Sequence, residues 1–462
     1  MKKYFNTAGP CRADWHYMLP PERRAGEIPR LIEMGQYFVL HAPRQTGKTT
    51  LILSLCERLN AEGKFAALYV NVETAQVAGG DVARGMRTIL SALEREAEHQ
   101  LLPELRPPLP AATATPEEAL INVLTDWAEA CPRRVVLFID EIDSLQDETL
   151  LSVLRQLRAG YTARPKRFPH AVALVGLRDV RDYKVRVRPE SNSLGTASPF
   201  NIKAESLTLS NFTMEEVKEL YLQHTAETGQ RFTEAAIALA YDLTRGQPWL
   251  VNALARQLVE KVVPDPTREI EAEHVLRAKE ILIQRRDCHL DSLIDKLREP
   301  RVKRIIEPIL TGKVLPPEVL NDDLEYVRDL GLIRFNGSAQ IANPIYAEVI
   351  PRALTWVMEA GIHQETAWYV RTDGSLDMGG LLRAFQKFFR RHSEAWLERF
   401  EFQEAGPHLM LMAFLQRVVN AGGTVEREFA VGSGRADVVV RWGGAVYVIE
   451  LKVRYGEETE AE

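Results

Sequence analysis

The chain has 462 residues, of which 45% are apolar and 26% are charged, and its formal net charge is −6. This length and composition predict a globular protein of roughly three or four domains. The net charge excludes a general attraction to nucleic acid or anionic membranes, so any such binding must come from local patches. No apolar run is long enough to span a membrane, and the N-terminus lacks a hydrophobic signal core. We therefore expect a cytoplasmic protein that does not contact membranes.

The cysteines are scattered along the chain without the close spacing that a metal site requires. They are Cys11, Cys56, Cys131 and Cys288. This distribution predicts reduced thiols in the cytosol. The Arg- and Ala-rich composition is typical of a bacterial or archaeal protein.

The first strong pattern is HAPRQTGKTT at residues 41–50, directly after an apolar stretch at residues 37–40. It predicts a strand, a phosphate-binding loop and the start of a helix, where backbone amides and the helix dipole favour anions. We expect Lys48 to reach the β- and γ-phosphates of a nucleotide, and the Thr49 hydroxyl to ligate Mg²⁺. The alternative is an accidental Gly-Lys-Thr sequence, against which the flanking strand and helix argue. The residues predicted to bind the nucleotide are Pro43, Arg44, Gln45, Thr46, Gly47, Lys48, Thr49 and Thr50.

Residues 1–36 lead into this strand and contain several aromatic side chains, among them Trp15 and Tyr17. In nucleotide-binding ATPases such a lead-in commonly lies against the base. Packing alone explains the aromatic residues equally well.

Further along the chain, KFAALYVNVET predicts a second strand, and a helix is expected from Val82 to about Gln100. A linker rich in Pro and Ala follows. Thr115 and Glu118 then have the spacing of a capping box, with Pro116 at the first helical position, so this pattern predicts that a helix begins there.

The apolar run Val135–Ile139 predicts a strand that is buried on both faces. Asp140 follows at its carboxyl end, where open α/β sheets place their ligands. We expect Asp140 to hold Mg²⁺ through water, and Glu141 to act as the base that polarises a hydrolytic water. The alternative is that both acids are solvated caps. With the phosphate loop about ninety residues earlier, ATP or GTP hydrolysis is the leading prediction.

HAVALVGLRD at residues 170–179 predicts another buried strand. Arg178 at its end is a candidate sensor of the γ-phosphate, and a solvated cap is the alternative. Because strands and helices alternate over residues 30–200, we predict a parallel sheet with helices on both faces.

From Thr213 the pattern becomes helical, and Thr213 and Glu216 form a second capping-box spacing. Two more helices are predicted around Glu234–Leu243 and Gln247–Lys261. The turn TRGQPWLVN between them is expected to place a lid helix over the nucleotide, although an ordinary turn between helices remains an alternative.

Residues 288–355 read as three helices and a hairpin about the turn Asn336-Gly337, which is the order of a winged helix. The helix that would enter DNA, Leu320–Leu330, is acidic and would repel phosphate. We therefore interpret this region as a packing module rather than a DNA reader.

The last sixty residues predict a helix and a three-stranded meander. Asp437 and Glu450 are candidate metal ligands at strand ends, and Lys452 would orient the nucleophile or stabilise the charged transition state of phosphodiester attack. Glu404 on the preceding helix is a further candidate acid. A solvated hairpin is the alternative interpretation.

Together these motifs resemble a family of prokaryotic AAA-like ATPases, related to the STAND and archaeal-type ATPases, with a winged helix and a PD-(D/E)xK nuclease-like domain. The resemblance rests on HYMLPPERR, HAPRQTGKTT, FIDEID, SPFNIKAESLTLSNFT, TRGQPWLVNALARQL, ANPIYAEVIPR, GRADVVV and VIELKV. It implies ATP rather than GTP, nucleotide and Mg²⁺ at Lys48 and Thr49, and hydrolysis at Asp140 and Glu141. It also implies a nuclease-type site at Asp437, Glu450 and Lys452.

The predicted domains are a P-loop ATPase core (1–204), a helical lid (205–284), a winged helix (285–357), a helical linker (358–400) and a small α/β restriction-endonuclease-like domain (401–462). The family's nuclease folds continue into a covering helix, so with ten residues after Lys452 we expect a truncated or incomplete nuclease domain.

Two hypotheses follow. In the first, an ATP-driven switch is coupled to a nuclease that acts on DNA or RNA. In the second, the ATPase governs assembly of a scaffold whose C-terminal domain only binds. The sequence leaves open a homo-oligomer and the identity of an arginine finger, for which the candidates are Arg186, Arg188 and Arg245.

Overall fold

The computed structural model describes residues 2–108, 115–178, 202–285, 295–310, 315, 321–350, 369–371, 373–397, 411, 414–415, 424–426 and 438–451. The chain divides into two compact units. One unit is Met1–Leu282 with Asp329–Gly331, and the other is Ile283–Arg328 with Leu332–Glu462. None of the helices within these described ranges has both the length and the apolar character of a membrane span.

In the described part of the first unit, five strands form a parallel sheet in the order β2-β3-β4-β1-β5. The strands are β1 (Tyr37–His41), β2 (Phe65–Asn71), β3 (Arg134–Asp140), β4 (Ala171–Gly176) and β5 (Lys203–Thr208). The first four are buried almost throughout, because both faces of the sheet are covered. The predicted parallel α/β sheet is confirmed.

Helices pack on both faces of this sheet. They are α1 (Ile28–Glu33), α2 (Lys48–Glu62), α3 (Val82–Gln100), α4 (Ala119–Ala130) and α5 (Asp147–Gly160). Successive strand residues alternate between two apolar cores, so that Val39 packs with α3, α4 and α5, whereas Leu40 packs with α1 and α2. The predicted bounds of α3 are confirmed.

The predicted start of α4 is wrong. Thr115 and Glu118 form a turn, in which Glu118 N donates to Thr115 O at 3.0 Å, and the helix begins at Ala119 without a side-chain cap from its own first turn. Instead, Gln156 Oε1 from α5 accepts hydrogen bonds from the backbone N–H groups of Leu120 (2.9 Å) and Ile121 (3.0 Å). A distant side chain therefore satisfies amides that the local capping box was predicted to serve.

A helical block follows the sheet. Its elements are α6 (Met214–Thr228), α7 (Glu234–Thr244), α8 (Pro248–Gln257) and α9 (Ala272–Arg285). The second predicted capping box is confirmed at the start of α6. Thr213 Oγ1 accepts from Glu216 N at 3.2 Å, and Glu216 Oε2 accepts from Thr213 N at 2.8 Å.

The second unit contains α10 (Pro300–Leu310), α11 (Asn321–Asp329, whose last residue belongs to the first unit) and an antiparallel pair, β6 (Ile333–Asn336) and β7 (Ser338–Ile341). Gly337 closes this hairpin with a φ of 75°, which a residue with a side chain rarely adopts. The predicted hairpin is confirmed, whereas residues 290–294 of the first predicted helix of the winged domain, LDSLIDKLREP at 290–300, lie outside the described residues.

Toward the C-terminus, α12 (Met378–Leu397) packs with a sheet whose described strands are β8 (Thr424–Glu426), β9 (Val438–Trp442) and β10 (Ala445–Ile449). The strands are antiparallel in the order β10-β9-β8. Gly443 and Gly444 both have positive φ and form the turn between β9 and β10. The predicted meander is therefore present in the described residues.

Candidate nucleotide site

The phosphate loop connects β1 to α2, as the sequence predicts. Gln45 (φ 58°) and Gly47 (φ 91°) adopt left-handed conformations that turn the backbone into α2, which begins at Lys48. Thr46 is buried, and its hydroxyl donates to Pro43 O at 2.9 Å. A hydrogen bond within the loop therefore helps to hold its backbone in this conformation.

Lys48 is 8% exposed, and its ammonium group donates to Ala42 O (2.7 Å) and Pro43 O (3.0 Å). Burial lowers the pKa of Lys48, while the nearby carboxylates of Asp140 and Glu141 oppose this shift. A buried ammonium group that donates to backbone carbonyls is well suited to donate to phosphate oxygens in their place.

Asp140 ends β3 and is 1% exposed. The hydroxyls of Thr49 (2.9 Å) and Tyr69 (3.2 Å) both lie against its Oδ2 atom, and Glu141 N donates to Oδ1 at 2.9 Å. Thr49 lies in the first turn of α2, so the loop and the acid-bearing strand meet at one edge of the sheet. A hydroxyl and a carboxylate at this distance fit the oxygen ligands that Mg²⁺ takes in nucleotide sites, where phosphate and water supply the remaining ligands.

Glu141 follows Asp140 in a left-handed conformation with φ 57°, which turns the chain out of the sheet. Burial raises the pKa of Glu141 to about 7, with Asp143 and Asp140 adding to the shift and Lys48 opposing it. A carboxyl with a pKa near neutrality, half-buried beside the phosphate loop, suits general-base chemistry.

A cavity of about 460 Å³ adjoins the loop. Its walls come from the phosphate loop, from the ends of β2 and β3, from residues 6–11 and 17–19 of the lead-in, and from the helical block. The predicted binding residues that line it are Arg44, Gln45, Gly47, Lys48, Thr49 and Thr50. Pro43 and Thr46 belong to the loop but do not line the cavity, and Glu141 does.

The lead-in is fastened to the helical block. Trp249 Nε1 donates to Thr7 O at 2.9 Å, and Gln223 bonds both the backbone N–H (3.1 Å) and the carbonyl (3.0 Å) of Met18. Cys11 N also donates to Thr50 Oγ1 of the phosphate loop at 3.0 Å. The lead-in therefore packs on the helical block and also lines the cavity, and its contact with a nucleotide base stays a prediction.

The first turn of α8 also lies at the cavity. Gln247 caps this helix by accepting from Leu250 N at 2.6 Å, and the next two residues, Pro248 and Trp249, line the cavity together with Asn252. The turn TRGQPWLVN therefore has the position that a lid requires, and the lid role itself remains a prediction.

Two of the predicted arginines lie in described residues but do not line the cavity. Arg178 follows β4 by two residues, next to Leu177, whose N–H donates to Asp143 Oδ1 at 3.0 Å. Arg245 ends α7 in an ion pair with Asp242 at 2.6 Å. The other arginine-finger candidates, Arg186 and Arg188, lie outside the described residues.

At the C-terminal meander, Val438 of β9 pairs with Ile449 of β10. Glu450, which follows β10, is exposed. The other residues predicted for a nuclease centre, Asp437, Lys452 and Glu404, lie outside the described residues.

Sequence reasoning missed several residues that contribute to the nucleotide site, among them Tyr69, Asn71, Glu73 and Arg24. For β2 a signal existed, because parallel strands end at one edge of a sheet, and Asn71 pairs in register with Asp140. No comparable local signal identifies Arg24, whose partners lie on other segments.

Comparison with known proteins agrees with this geometry. Residues 33–183 match the family model described as an AAA domain. The chain carries an AAA-type P-loop ATPase domain. This match covers the phosphate loop, β3 with Asp140, and β4, and it supports ATP binding by this domain.

Among solved structures, the Walker-type ATPase of Pyrococcus abyssi is 16% identical with a TM-score of 0.54, over 75% of this chain and 99% of that one. At this identity the likeness concerns the fold alone. Cdc6p of Pyrobaculum aerophilum (15% identity, TM-score 0.38, 74% and 93% covered) and a RuvB variant of Thermotoga maritima (16%, 0.37, 71% and 92%) are weaker likenesses that assign no function. No curated protein sequence matches the chain.

Proposed function

We propose that this protein is an ATP-driven switch, in which Mg²⁺-dependent hydrolysis at the phosphate-loop edge controls a C-terminal nuclease-like domain acting on DNA or RNA. The observation that supports the ATPase half is the 2.9 Å contact between Thr49 Oγ1 and Asp140 Oδ2 at the wall of a cavity that Lys48 and Glu141 also line. These groups are the ones that phosphoryl transfer requires, and they meet where parallel strands end.

In this proposal the triphosphate lies along the phosphate loop, where Lys48 exchanges its carbonyl partners for phosphate oxygens. The Thr49 hydroxyl and the Asp140 carboxylate would hold Mg²⁺, which supplies charge neutralisation when it is bound. Glu141 accepts a proton from the attacking water, whose oxygen bonds to the γ-phosphorus while the bond to the β–γ bridging oxygen breaks. The products are ADP and phosphate, and Arg178 is the proposed sensor of the γ-phosphate.

Nucleotide binding and turnover in the full chain test the ATPase half. We expect Lys48→Ala to weaken ATP binding by about 100-fold or more, because it removes a buried cation from the phosphates. Lys64→Ala is the matched control, because Lys64 is half-exposed and pairs with Glu33 outside the cavity. Unchanged binding in Lys48→Ala would contradict the proposed site.

Glu141→Gln separates binding from chemistry. It preserves the shape of the side chain but removes the proton acceptor, so ATP should bind as in the wild type while turnover falls by about 100-fold or more. An unchanged rate would remove Glu141 from the proposed role.

The nuclease half is tested by cleavage of plasmid and single-stranded nucleic acid with Mg²⁺ or Mn²⁺ and ATP. We expect cleavage by the full chain and its loss in Asp437→Ala, because a metal ligand is removed. If the wild type cuts neither substrate, the nuclease half is wrong and the ATPase half stands.

One observation favours the alternative of a nucleotide-regulated scaffold. Basic residues of α10 already have acidic partners: Arg301 contacts Glu299 and stacks on Tyr326, and Arg304 lies 3.6 Å from Asp323. Charges engaged in this way offer little to a phosphate backbone. A chain that hydrolyses ATP but neither cuts nor binds nucleic acid would favour the scaffold.

A further inference from the structure

One partly buried arginine joins three segments around the nucleotide cavity. Arg24 ends a short 3₁₀ turn of the lead-in, and its Nη1 donates to Thr46 O of the phosphate loop at 2.9 Å. Its Nη2 donates to Ser210 O, and its guanidinium lies over the Phe212 ring, 4.9 Å from the ring centroid. Ser210 and Phe212 belong to the connection between β5 and α6, so one rigid guanidinium spans the lead-in, the loop and the entry to the helical block.

This placement is costly for a charged side chain. Burial lowers the pKa of Arg24 to about 10, and Glu216 opposes the shift. Among the described residues, the buried Nε atom of Arg24 has no hydrogen-bond partner. Apolar packing would have avoided both penalties, so the side chain is better explained by what its two carbonyl contacts do.

The contact with Thr46 O bears directly on the phosphate loop. The Thr46 carbonyl and the Gly47 N–H belong to one planar trans peptide, in which the two groups point in opposite directions. Holding the carbonyl therefore orients the Gly47 N–H, one of the amides that the loop would offer to phosphate. A Cβ at Gly47 would lie only 3.3 Å from Arg24 Nη1, so the two residues fit closely.

The contacts at Ser210 and Phe212 lead on to α8. Phe212 N donates to Gly246 O at 2.8 Å, and a Cβ built at Gly246 would lie 1.9 Å from Phe212 O. The chain then passes through Gln247 into the first turn of α8, which lines the cavity. A continuous set of contacts, made of hydrogen bonds and the stacking of Arg24 on Phe212, thus runs from the phosphate loop to the turn that begins α8.

We propose that Arg24 is a positioning residue that couples phosphate occupancy of the loop to closure of residues 244–257 over the nucleotide. This inference rests on the proposed ATPase function. When phosphate binds the Gly47 N–H, the Thr46–Gly47 peptide becomes fixed, and the planar guanidinium passes this constraint to the Ser210 carbonyl. A flexible or shorter cation cannot hold both carbonyls in one plane.

The test is hydrogen–deuterium exchange of the full chain with a saturating, non-hydrolysable ATP analogue and Mg²⁺. In the wild type we expect slower exchange both at residues 42–50 and at residues 244–257. In Arg24→Met, at a concentration that saturates that variant, the loop should keep its protection while residues 244–257 lose at least about fivefold of theirs. Arg24→Lys should behave like Arg24→Met, because it keeps the charge but lacks the planar guanidinium that donates to both carbonyls.

Arg23→Met is the matched control. Arg23 is the neighbouring residue, lies half-exposed and forms a surface ion pair with Glu219 of α6, so it should exchange as the wild type does. Full protection of residues 244–257 in Arg24→Met, or equal loss in Arg23→Met, would overturn the inference.

Two further outcomes separate the inference from the function on which it rests. If nucleotide protects the loop of the wild type but not residues 244–257, the coupling is wrong and the ATPase stands. If neither segment is protected, the proposed nucleotide site itself is wrong. Should Arg24→Met fail to fold, Phe212→Leu removes only the ring beneath the guanidinium. It should reduce protection at residues 244–257 while the loop keeps its own, and undiminished protection would contradict the coupling.

Discussion

Asp140 and Glu450 were assigned the same chemistry from the same kind of pattern, an acid at the end of an apolar strand, yet their surroundings differ. Asp140 is 1% exposed and is contacted by the hydroxyls of Thr49 and Tyr69 and by a backbone amide. Glu450 is exposed and follows β10, whose Val446 and Val448 are 53% and 65% exposed.

Sheet topology accounts for the difference. β3 lies between β2 and β4 in a parallel sheet covered on both faces, so its end meets the loop that follows β1 at one common edge. In the described residues, β10 pairs with β9 alone. An acid in the first setting is held by several elements, whereas in the described residues the second follows a strand that pairs on one side only. The strength of a carboxylate motif therefore depends on where its strand lies in the sheet.

A pair of variants tests whether the two acids have separate roles. We expect Asp140→Asn to lower ATP turnover by about 100-fold, because it removes the charge that would hold Mg²⁺ beside the phosphates. Glu450→Gln should leave ATP turnover within about twofold of the wild type and abolish metal-dependent cleavage of nucleic acid. Both rates are measured on each full-length variant. If Glu450→Gln lowers ATP turnover as Asp140→Asn does, the two sites do not have separate roles.

The pH dependence of turnover examines the same edge of the sheet. Because the pKa of Glu141 is raised to about 7, the ionised base is scarce at pH 6 and predominant at pH 8. The rate at saturating ATP should therefore increase about tenfold between these values. A rate that is flat over this range would argue that Glu141 is not the base.

The same shift has a consequence for stability. The folded chain keeps a proton on Glu141 that the unfolded chain releases above about pH 4.5. The stability contributed by this group is therefore present below that pH and is lost as the pH rises to about 7. The glutamine in Glu141→Gln cannot ionise. The free energy of unfolding of this variant should therefore exceed that of the wild type by about 1–2 kcal/mol at pH 8 and equal it at pH 4. Denaturant unfolding, followed by signals from residues of the first unit, measures this difference.

Tyr69→Phe tests the surroundings of Asp140 and has a smaller expected effect. It removes one of two hydroxyls on Asp140 Oδ2, so we expect the Mg²⁺-dependent part of nucleotide affinity to fall about fivefold, which is about 1 kcal/mol. Binding is compared with Mg²⁺ and with a chelator. Tyr37→Phe is the control, because it removes a buried hydroxyl that bonds Pro169 O instead. An equal loss in both variants would mean that Tyr69 acts through packing.

Features that depend on residues close in sequence could be predicted, whereas contacts between distant segments could not. The phosphate loop, β3 with Asp140, and the bounds of α3 depend on residues that are close in sequence, and all were predicted. Tyr69 and Arg24 were not, because the first depends on the pairing of β2 with β3 and the second on carbonyls of two distant segments. A residue type and its spacing do not encode such contacts.

Two threonines, each followed by a glutamate three residues later, show directly that local spacing does not decide the contact. The expected effect of replacing them is also the smallest. Thr213 closes a reciprocal capping box with Glu216, whereas Thr115 does not cap α4, whose amides are served by Gln156. Thr213→Ala should therefore speed amide exchange at the start of α6, because the free energy of opening falls there by about 1 kcal/mol. Thr115→Ala should leave the free energy of opening at the start of α4 unchanged within about 0.5 kcal/mol. Gln156→Ala should instead loosen the start of α4. Were Thr115→Ala to destabilise α4 as much as Thr213→Ala destabilises α6, the local motif would govern both helices and the tertiary cap would be redundant.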